Sequence, residues 1–490
     1  MHLSVTQRIL GLLIILFSVT LVPPICVSLW YQDDGLIAFI MAFLVMFSIG
    51  VMLWFPAKDA KKELHLHDGF LITAIFWTVL SIVGALPFLL LSNVEAGQNL
   101  NLAQAVFESV SGFTTTGATV IKHIDSLPES ILYYRQQLQW LGGLGIIVLA
   151  VAVLPMLGIG GMQLYRAETP GPMRDEKFTP RLENTAKTLL YIYIILTIAC
   201  ALSYWVAGMS LFDAIGHSYS TVATGGFSTH DASLGYFDSP TIEAIAMFFI
   251  ILGSLNFTVH FVAWHKLDMR YYWRDTQGRV FIYIVLILII ITVVMLMLHS
   301  EDAKHQNFFS ALRYGSFEVI SIISSTGYAI DDFSTWPLFL PILILGSGFI
   351  GGCVGSTAGG FRVIRFILLY KQAAREIMRL IHPNAVIVVK IGNKKVPDNV
   401  SQAMWGFTFL YISSYVFLSL LFMATGVSYL TAFSGIAATL NMTGPGLGDV
   451  TMHYGNIGDA GLWILSFTML LARLEIFTLL VLLTPAFWRR

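Results

Sequence analysis

The chain has 490 residues, of which 56% are apolar and only 12% charged, against the roughly one-quarter charged expected of soluble domains. That balance excludes a soluble enzyme with one large core, and about ten apolar runs long enough to cross a bilayer predict a membrane protein. Lys and Arg total 28 and Asp and Glu 29, so a formal net charge of −1 gives no reason to expect a nucleic-acid partner.

In chain order, two hydrophobic helices are expected first, Arg8 to Trp30 and Gly35 to Phe55, with Asp33 and Asp34 in the link. The length of the first run, its Pro23-Pro24 break and the span behind it predict a retained helix, not a secretory signal. Eight long spans follow near residues 70–92, 138–160, 187–207, 242–264, 280–298, 338–370, 403–425 and 461–484. Within each successive pair lies an apolar stretch of about a dozen residues ending in Thr, Ser and Gly, too short for about 30 Å of hydrocarbon. Such a stretch must enter and leave by one side, as a re-entrant pore helix does. Cys26, Cys200 and Cys353 are far apart in apolar segments and read as small core residues.

The loops 56–69, 161–187, 266–279 and 371–402, with the chain ends, hold most of the basic residues, whereas the opposite loops hold Lys122, Arg135, Lys304 and Arg313. The positive-inside rule then places both termini in the cytoplasm and all four re-entrant stretches on the outer side. The fold expected is all-α and membrane-integral, with four covalently linked helix/pore-loop/helix repeats around a central pore. The boundaries are 1–69 for the hairpin and cytoplasmic loop, then 70–183, 184–278, 279–400 and 401–490 for the repeats.

An internal repeat carries the argument further. With Gly117, Gly226, Gly327 and Gly444 superposed, Ala105, Ala214, Gly315 and Ala432 align without gaps, as do Ser111, Ser220, Ser321 and Ala438. Immediately before the glycines stand Thr116, Gly225, Thr326 and Thr443, and before those Thr115, Thr224, Ser325 and Met442. One Thr-Thr-Thr-Gly means little in a membrane protein, where small residues serve packing. Four copies in register on one side predict loops whose glycines adopt positive φ and turn carbonyls toward a cation, stacked as rings that replace its hydration shell.

The strings FTTTGATV at 113–120, ATGGFST at 223–229, SSTGY at 324–328 and NMTGPG at 441–446 resemble the four selectivity-filter segments of the Trk/Ktr/HKT superfamily of cation transporters. The resemblance covers essentially the whole chain, and the extra N-terminal helix pair is most similar to bacterial Trk-type members. It implies that backbone carbonyls of the four filter segments, at the residues just aligned, coordinate K+, with the ion at Thr116, Gly225, Thr326 and Thr443. Sodium-selective members carry serine at the first filter glycine, so Gly117 favours potassium. The second and fourth loops depart from Thr-Thr-Thr-Gly, and four-fold symmetry is not implied to be exact.

Residues 346–360, GSGFIGGCVGSTAGG, interrupt a span with Gly346, Gly348, Gly351, Gly352, Gly355, Gly359 and Gly360. Each interior glycine costs about 1 kcal/mol relative to alanine, so a loop inside the membrane is expected. Its G-x-G-x-x-G string has no βαβ context and is no dinucleotide site. It is either a close helix-packing surface or, as the family's intramembrane gating loop implies, a barrier below the filter. Arg473 is expected near the middle of the last span, with Glu475 roughly opposite on the helix. Either a buried interhelical salt bridge holds it, or, as the resemblance implies, it faces the pore and opposes cations.

Glu108, Asp213 and Glu318 are candidates for concentrating cations at the outer mouth, with solvation or capping as the alternative. His260 with His265, and His65 with His67, offer no metal-ligand set, and no hydrolase, HExxH or Walker spacing supports an enzyme. An alternating-access secondary transporter is the competing reading, though it would show two repeats of several helices where four pore loops stand here. The resemblance further implies K+ as the transported ion with no organic cofactor, the bacterial inner membrane as location, a homodimer, and a cytosolic ring of nucleotide-binding TrkA-type subunits responding to ATP and NADH.

Overall fold

Leu3–Val19 and Leu36–Ala57 form an antiparallel hairpin of apolar helices, with Val22–Tyr31 starting afresh on Pro23-Pro24 in its first turn. Gly11 and Gly50 let the two backbones touch, since a Cβ at Gly11 would lie 2.8 Å from the Gly50 carbonyl oxygen. This is a computed structural model, and it describes residues 3–60, 66–91, 99–148, 179–385, 387–392, 394–476 and 484. The basic stretch 161–178, the tail 149–160 of one expected span, His65 and residues 477–483 of the last expected span lie outside the described residues. Among the described residues six helices are long and apolar enough to cross a membrane, or seven if one bent pair counts as a span.

Four short helices, Leu102–Phe113, Leu211–Val222, Phe308–Ile323 and Tyr429–Leu440, stand where re-entrant stretches were expected. Each begins on a residue whose side chain accepts a free amide of the first turn: Asn101 from Gln104, Ser210 from Asp213, Asn307 from Phe309 and Ser428 from Thr431. Such a cap stabilises a helix start by about 1 kcal/mol. A twelve-residue helix rises about 18 Å, short of the hydrocarbon thickness. Its C-terminal carbonyls therefore end at depth, inside protein.

Several spans depart from expectation. The helix expected at 138 starts at Glu129, because Arg135, Gln136, Gln137 and Gln139 are buried against protein partners and never meet lipid. Gln137 donates to the Thr20 carbonyl at 2.7 Å, for example. Arg135 is thus a core residue and not an outer-loop charge.

The span expected at 242–264 is two helices, Pro240–Ser254 and Phe257–Lys266, bent by 97°. Asn256 makes the corner by capping the second helix through the Thr258 amide. His260 Nε2 lies 2.9 Å from the Leu252 carbonyl and Nδ1 2.7 Å from the Tyr272 hydroxyl. A carbonyl can only accept, so Nε2 carries the proton and Nδ1 accepts from Tyr272, which locks the corner.

The span expected at 338–370 divides into Leu340–Ser347 and Val363–Ile381, the second running past 370 so that Lys371, Arg375 and Arg379 are helical. Gly346 lies inside the first of these helices and Gly348 caps it, leaving 349–362 as the loop. Among the described residues the final helix, Asp459–Arg473, ends where Glu475 takes positive φ (+50°), so Arg473 stands at that helix's C-terminal end. Of the cysteines, Cys200 and Cys353 are buried as expected, whereas Cys26 is exposed.

Candidate ion pathway

The loops behind the four short helices share one backbone path. Thr115, Thr224, Ser325 and Met442 have φ of +57°, +50°, +58° and +58°, and Gly117, Gly226, Gly327 and Gly444 have +80°, +82°, +78° and +81°. Left-handed φ at a residue other than glycine costs about 1–3 kcal/mol and persists only where neighbours enforce it. Here the enforcing bond recurs in every copy: the amides of Thr116, Gly225, Thr326 and Thr443 donate to the carbonyls of Ser111, Ser220, Ser321 and Ala438 at 2.9, 2.8, 2.9 and 2.8 Å.

The glycines also reveal how the copies are ordered. A Cβ at Gly117 would overlap the carbonyl oxygen of Gly225, one at Gly226 that of Thr326, one at Gly327 that of Thr443, and one at Gly444 that of Thr116. Each repeat abuts the next and the fourth abuts the first, so the circle closes. The carbonyls of residues 116, 225, 326 and 443 thereby form a ring one residue deep to the glycines. Four helix C-termini, each with a partial negative charge, end against it.

The ring is not four-fold behind its backbone. In repeats one and three the threonine hydroxyl meets a second hydroxyl, Thr116 with Thr114 and Thr326 with Ser324, both at 2.8 Å. Repeat two has Gly225 in place of that threonine, and Gln139 fills the space: it donates to the Gly225 carbonyl at 2.6 Å and accepts from the Phe227 amide at 3.0 Å. In repeat four the Tyr454 hydroxyl donates to the Gly444 carbonyl at 2.8 Å. Sequence reasoning passed over Gln139, although three glutamines in RQQLQW at 135–140 are costly in a membrane span and signal buried partners.

Above the ring lies a cavity of about 270 Å³ whose lining includes all four glycines with His230, Asp231, Asp331 and Asp332. The candidate acids hold loops instead of facing this space freely. Glu108 is buried in an ion pair with Arg135 at 2.9 Å and accepts from the Val120 amide. Glu318, buried, accepts the Ile330 amide at 2.8 Å, and Asp213 takes bonds from Ser210 and Thr229. Of the other charged side chains lining the cavity, Arg135 is held by Glu108 and Asp331 is paired with Lys304 at 2.8 Å, which leaves Asp231 and Asp332 as the carboxylates with no ion pair among the described residues.

Below the ring, the glycine-rich loop touches three repeats. Its Gly359 amide donates to the Ser325 hydroxyl, and the Thr357 hydroxyl donates to the Val222 carbonyl at 3.1 Å. A Cβ at Gly348 would meet the Thr443 methyl at 2.9 Å, and one at Gly359 the Asn441 carbonyl at 2.7 Å. Gly351, Gly355 and Gly360 adopt positive φ, and Gly352 is packed against Ala358. The bent pair anchors the loop from the side, through Cys353 N to Ser254 O at 3.0 Å and Phe257 N to Gly355 O at 2.9 Å. A loop held at this many points lies directly beneath Ser325 and Met442, the residues leading into the ring.

Arg473 reaches the same level. Its guanidinium is buried, donates to the Gly142 carbonyl at 3.2 Å, lies 3.7 Å from the Met442 sulfur and 5.1 Å from the Trp77 ring, and its Nε has no hydrogen-bond partner among the described residues. The interhelical salt bridge weighed for it is made by Glu475 instead, with Arg365 at 2.7 Å. That pair ties the chain after Arg473 to the helix that follows the glycine loop.

A family model described as a cation transport protein, TrkH, matches residues 36–490. The Trk system potassium uptake protein TrkH of Halomonas elongata is 54% identical over 490 residues, covering all of both chains, and that of Escherichia coli K12 is 50% identical over 489 residues with the same coverage. The Trk system potassium uptake protein TrkG of Escherichia coli K12 is 41% identical over 488 residues. Among solved structures, the crystal structure of the potassium transporter TrkH from Vibrio parahaemolyticus superposes with a TM-score of 0.92 at 49% identity, covering 100% of both chains.

Proposed function

The chain belongs to the TrkH family of cation transport proteins, and from that premise we propose that it takes up potassium across the bacterial inner membrane through the ring of four loops. The carrying observation is the closed order of the glycines, each abutting the carbonyl of the next repeat. Carbonyl oxygens of residues 115–117, 224–226, 325–327 and 442–444 replace the hydration shell of K+, which binds at the level of Thr116, Gly225, Thr326 and Thr443. Asp231 and Asp332 of the outer cavity raise the local cation concentration before dehydration.

The glycine loop and Arg473 form the gate: one obstructs the path below the ring and the other places a positive charge there. Opening requires the loop to leave Ser325 and Thr357 to leave Val222, a change that a partner acting on the helix Val363–Ile381 transmits directly. The partner is a cytosolic nucleotide-binding subunit of the TrkA type, the assembly is a homodimer, and both termini face the cytoplasm. The four repeats run from 70–183 to 401–490 behind the N-terminal hairpin.

Gly117→Ser tests the filter. A side chain at φ +80° beside the Gly225 carbonyl must displace that oxygen, so the K+/Na+ uptake ratio of cells dependent on this protein falls by at least about tenfold, the equivalent of 1.4 kcal/mol. An unchanged ratio at equal protein level overturns the assignment.

A further inference from the structure

Behind the corner at residues 254–256 lies a cavity of about 700 Å³, lined by Ile195, Phe248, Leu252, Ala263 and Trp264, with Arg279 at its rim. It takes no part in the ion pathway. Its mouth opens between residues that the spans present outward, Phe248 being 58% and Ile195 43% exposed. In a membrane, what reaches such a mouth is lipid.

The segment closing one end has the make-up of an interface: Trp264, Leu267, Met269 and Trp273 are exposed, and Lys266, Arg270, Arg274 and Arg279 outnumber Asp268 and Asp275 in residues 266–279. Hydrocarbon gains nothing by leaving a bilayer for another apolar space, so the cavity cannot select a lipid by its chain. Selection falls to the headgroup, and the rim offers a guanidinium and a basic segment, which favour a phosphate without a compensating cation.

We propose that this cavity binds one acyl chain of an anionic phospholipid from the leaflet facing the basic loops, with the phosphate held by Arg279, and that the bound chain braces the corner anchoring the glycine loop. The two faces of the corner support the second half of this. Leu252 and Leu255 line the cavity, while the intervening Gly253 and Ser254 carbonyls accept the loop amides of Thr357 and Cys353 at 3.2 and 3.0 Å, and the Phe257 amide donates to Gly355. A filled cavity fixes the first set and hence the second.

The regulatory half rests on the pore reading above, and the binding half is measured without it. Full-length protein is titrated with phosphatidylglycerol and with phosphatidylcholine of the same chains, and bound lipid is counted by native mass spectrometry. One phosphatidylglycerol should be retained in preference to phosphatidylcholine. Arg279→Gln should weaken that retention about tenfold, the scale of one charge-assisted hydrogen bond, and Ala263→Trp, which fills the cavity, should abolish it. Ile195→Trp fills it from the outward face of another helix and replaces Ala263→Trp if that variant does not fold. Equal retention of the two lipids, or retention unaffected by the filling variant, overturns the site. Retention lost with potassium uptake unaltered leaves the pore standing and overturns the brace.

Discussion

Gln139 and Gly225 provide a test that neither packing nor general stability can mimic. Gly225 does not have the positive φ of the filter glycines, so its backbone tolerates a side chain, as Thr116, Thr326 and Thr443 show at the equivalent positions. Only space forbids one: a Cβ there would lie 2.5 Å from Gln139. Gly225→Thr must therefore expel the glutamine, losing its bonds to the Gly225 carbonyl and Phe227 amide and leaving that amide buried without a partner. One lost hydrogen bond and one orphaned donor cost about 2–4 kcal/mol together. Gln139→Ala loses the same two bonds, so it carries a similar cost.

The double variant Gln139→Ala with Gly225→Thr removes the clash and rebuilds the volume found in repeats one and three. It should be better than the sum of the single variants by about 1–3 kcal/mol, since contacting residues do not add. Two readouts apply, the K+/Na+ uptake ratio and thermal stability of the purified protein. Both single variants should lower the ratio at least about tenfold, and the pair should recover part of it. Additive effects, or a single variant with the native ratio, would refute the account of how repeat two is supported.

Three further outcomes are expected. Arg473→Ala should raise flux measured in liposomes without the cytosolic partner, by about tenfold or more if a charge within roughly 8 Å of the path is removed at an effective dielectric near 20; unchanged flux would remove Arg473 from the gate. Shortening 349–360 should likewise raise basal flux, through a steric and not an electrostatic change, and reduced flux at intact fold would count against a barrier there. At the outer mouth, burial alone would lower the pKa of His230, but the Asp213 carboxylate 3.6 Å from Nε2 and the hydrogen bond of Nδ1 to Asp125 outweigh it and hold the value above its usual 6.5. Its contribution to stability is complete below pH 6.5 and lost as pH rises through the raised value, so His230→Gln should flatten the pH dependence of thermal stability in that window.

The repeat was legible in the sequence because backbone demands leave a mark: only glycine occupies the position at φ near +80°, and its four copies stand in register. The second left-handed residue of each loop left no such mark, because Thr115, Thr224, Ser325 and Met442 are held there by the surrounding bonds and not by their own preference. The start of the Glu129–Val148 helix was hidden because polarity was read as solvent exposure, whereas Arg135 and three glutamines are paired inside the protein. The corner at Asn256 was missed for a similar reason: Ser-Leu-Asn interrupts hydropathy too little to announce a 97° turn. The loop at 346–360 is legible from glycine content, yet its anchors lie far away in sequence: Ser325 in the filter segment of its own repeat, and Val222 and the Ser254 carbonyl in repeat two. No local pattern carries such contacts.

The central claim is that four loops bind potassium through one ring of carbonyls, and the most direct measurement is anomalous scattering from crystals grown in rubidium in place of potassium. A peak is predicted on the axis, equidistant within coordinate error from the carbonyl oxygens of Thr116, Gly225, Thr326 and Thr443, and it should vanish when sodium replaces rubidium. No peak inside that ring, or an equally strong one bound to side-chain carboxylates elsewhere, would contradict the account.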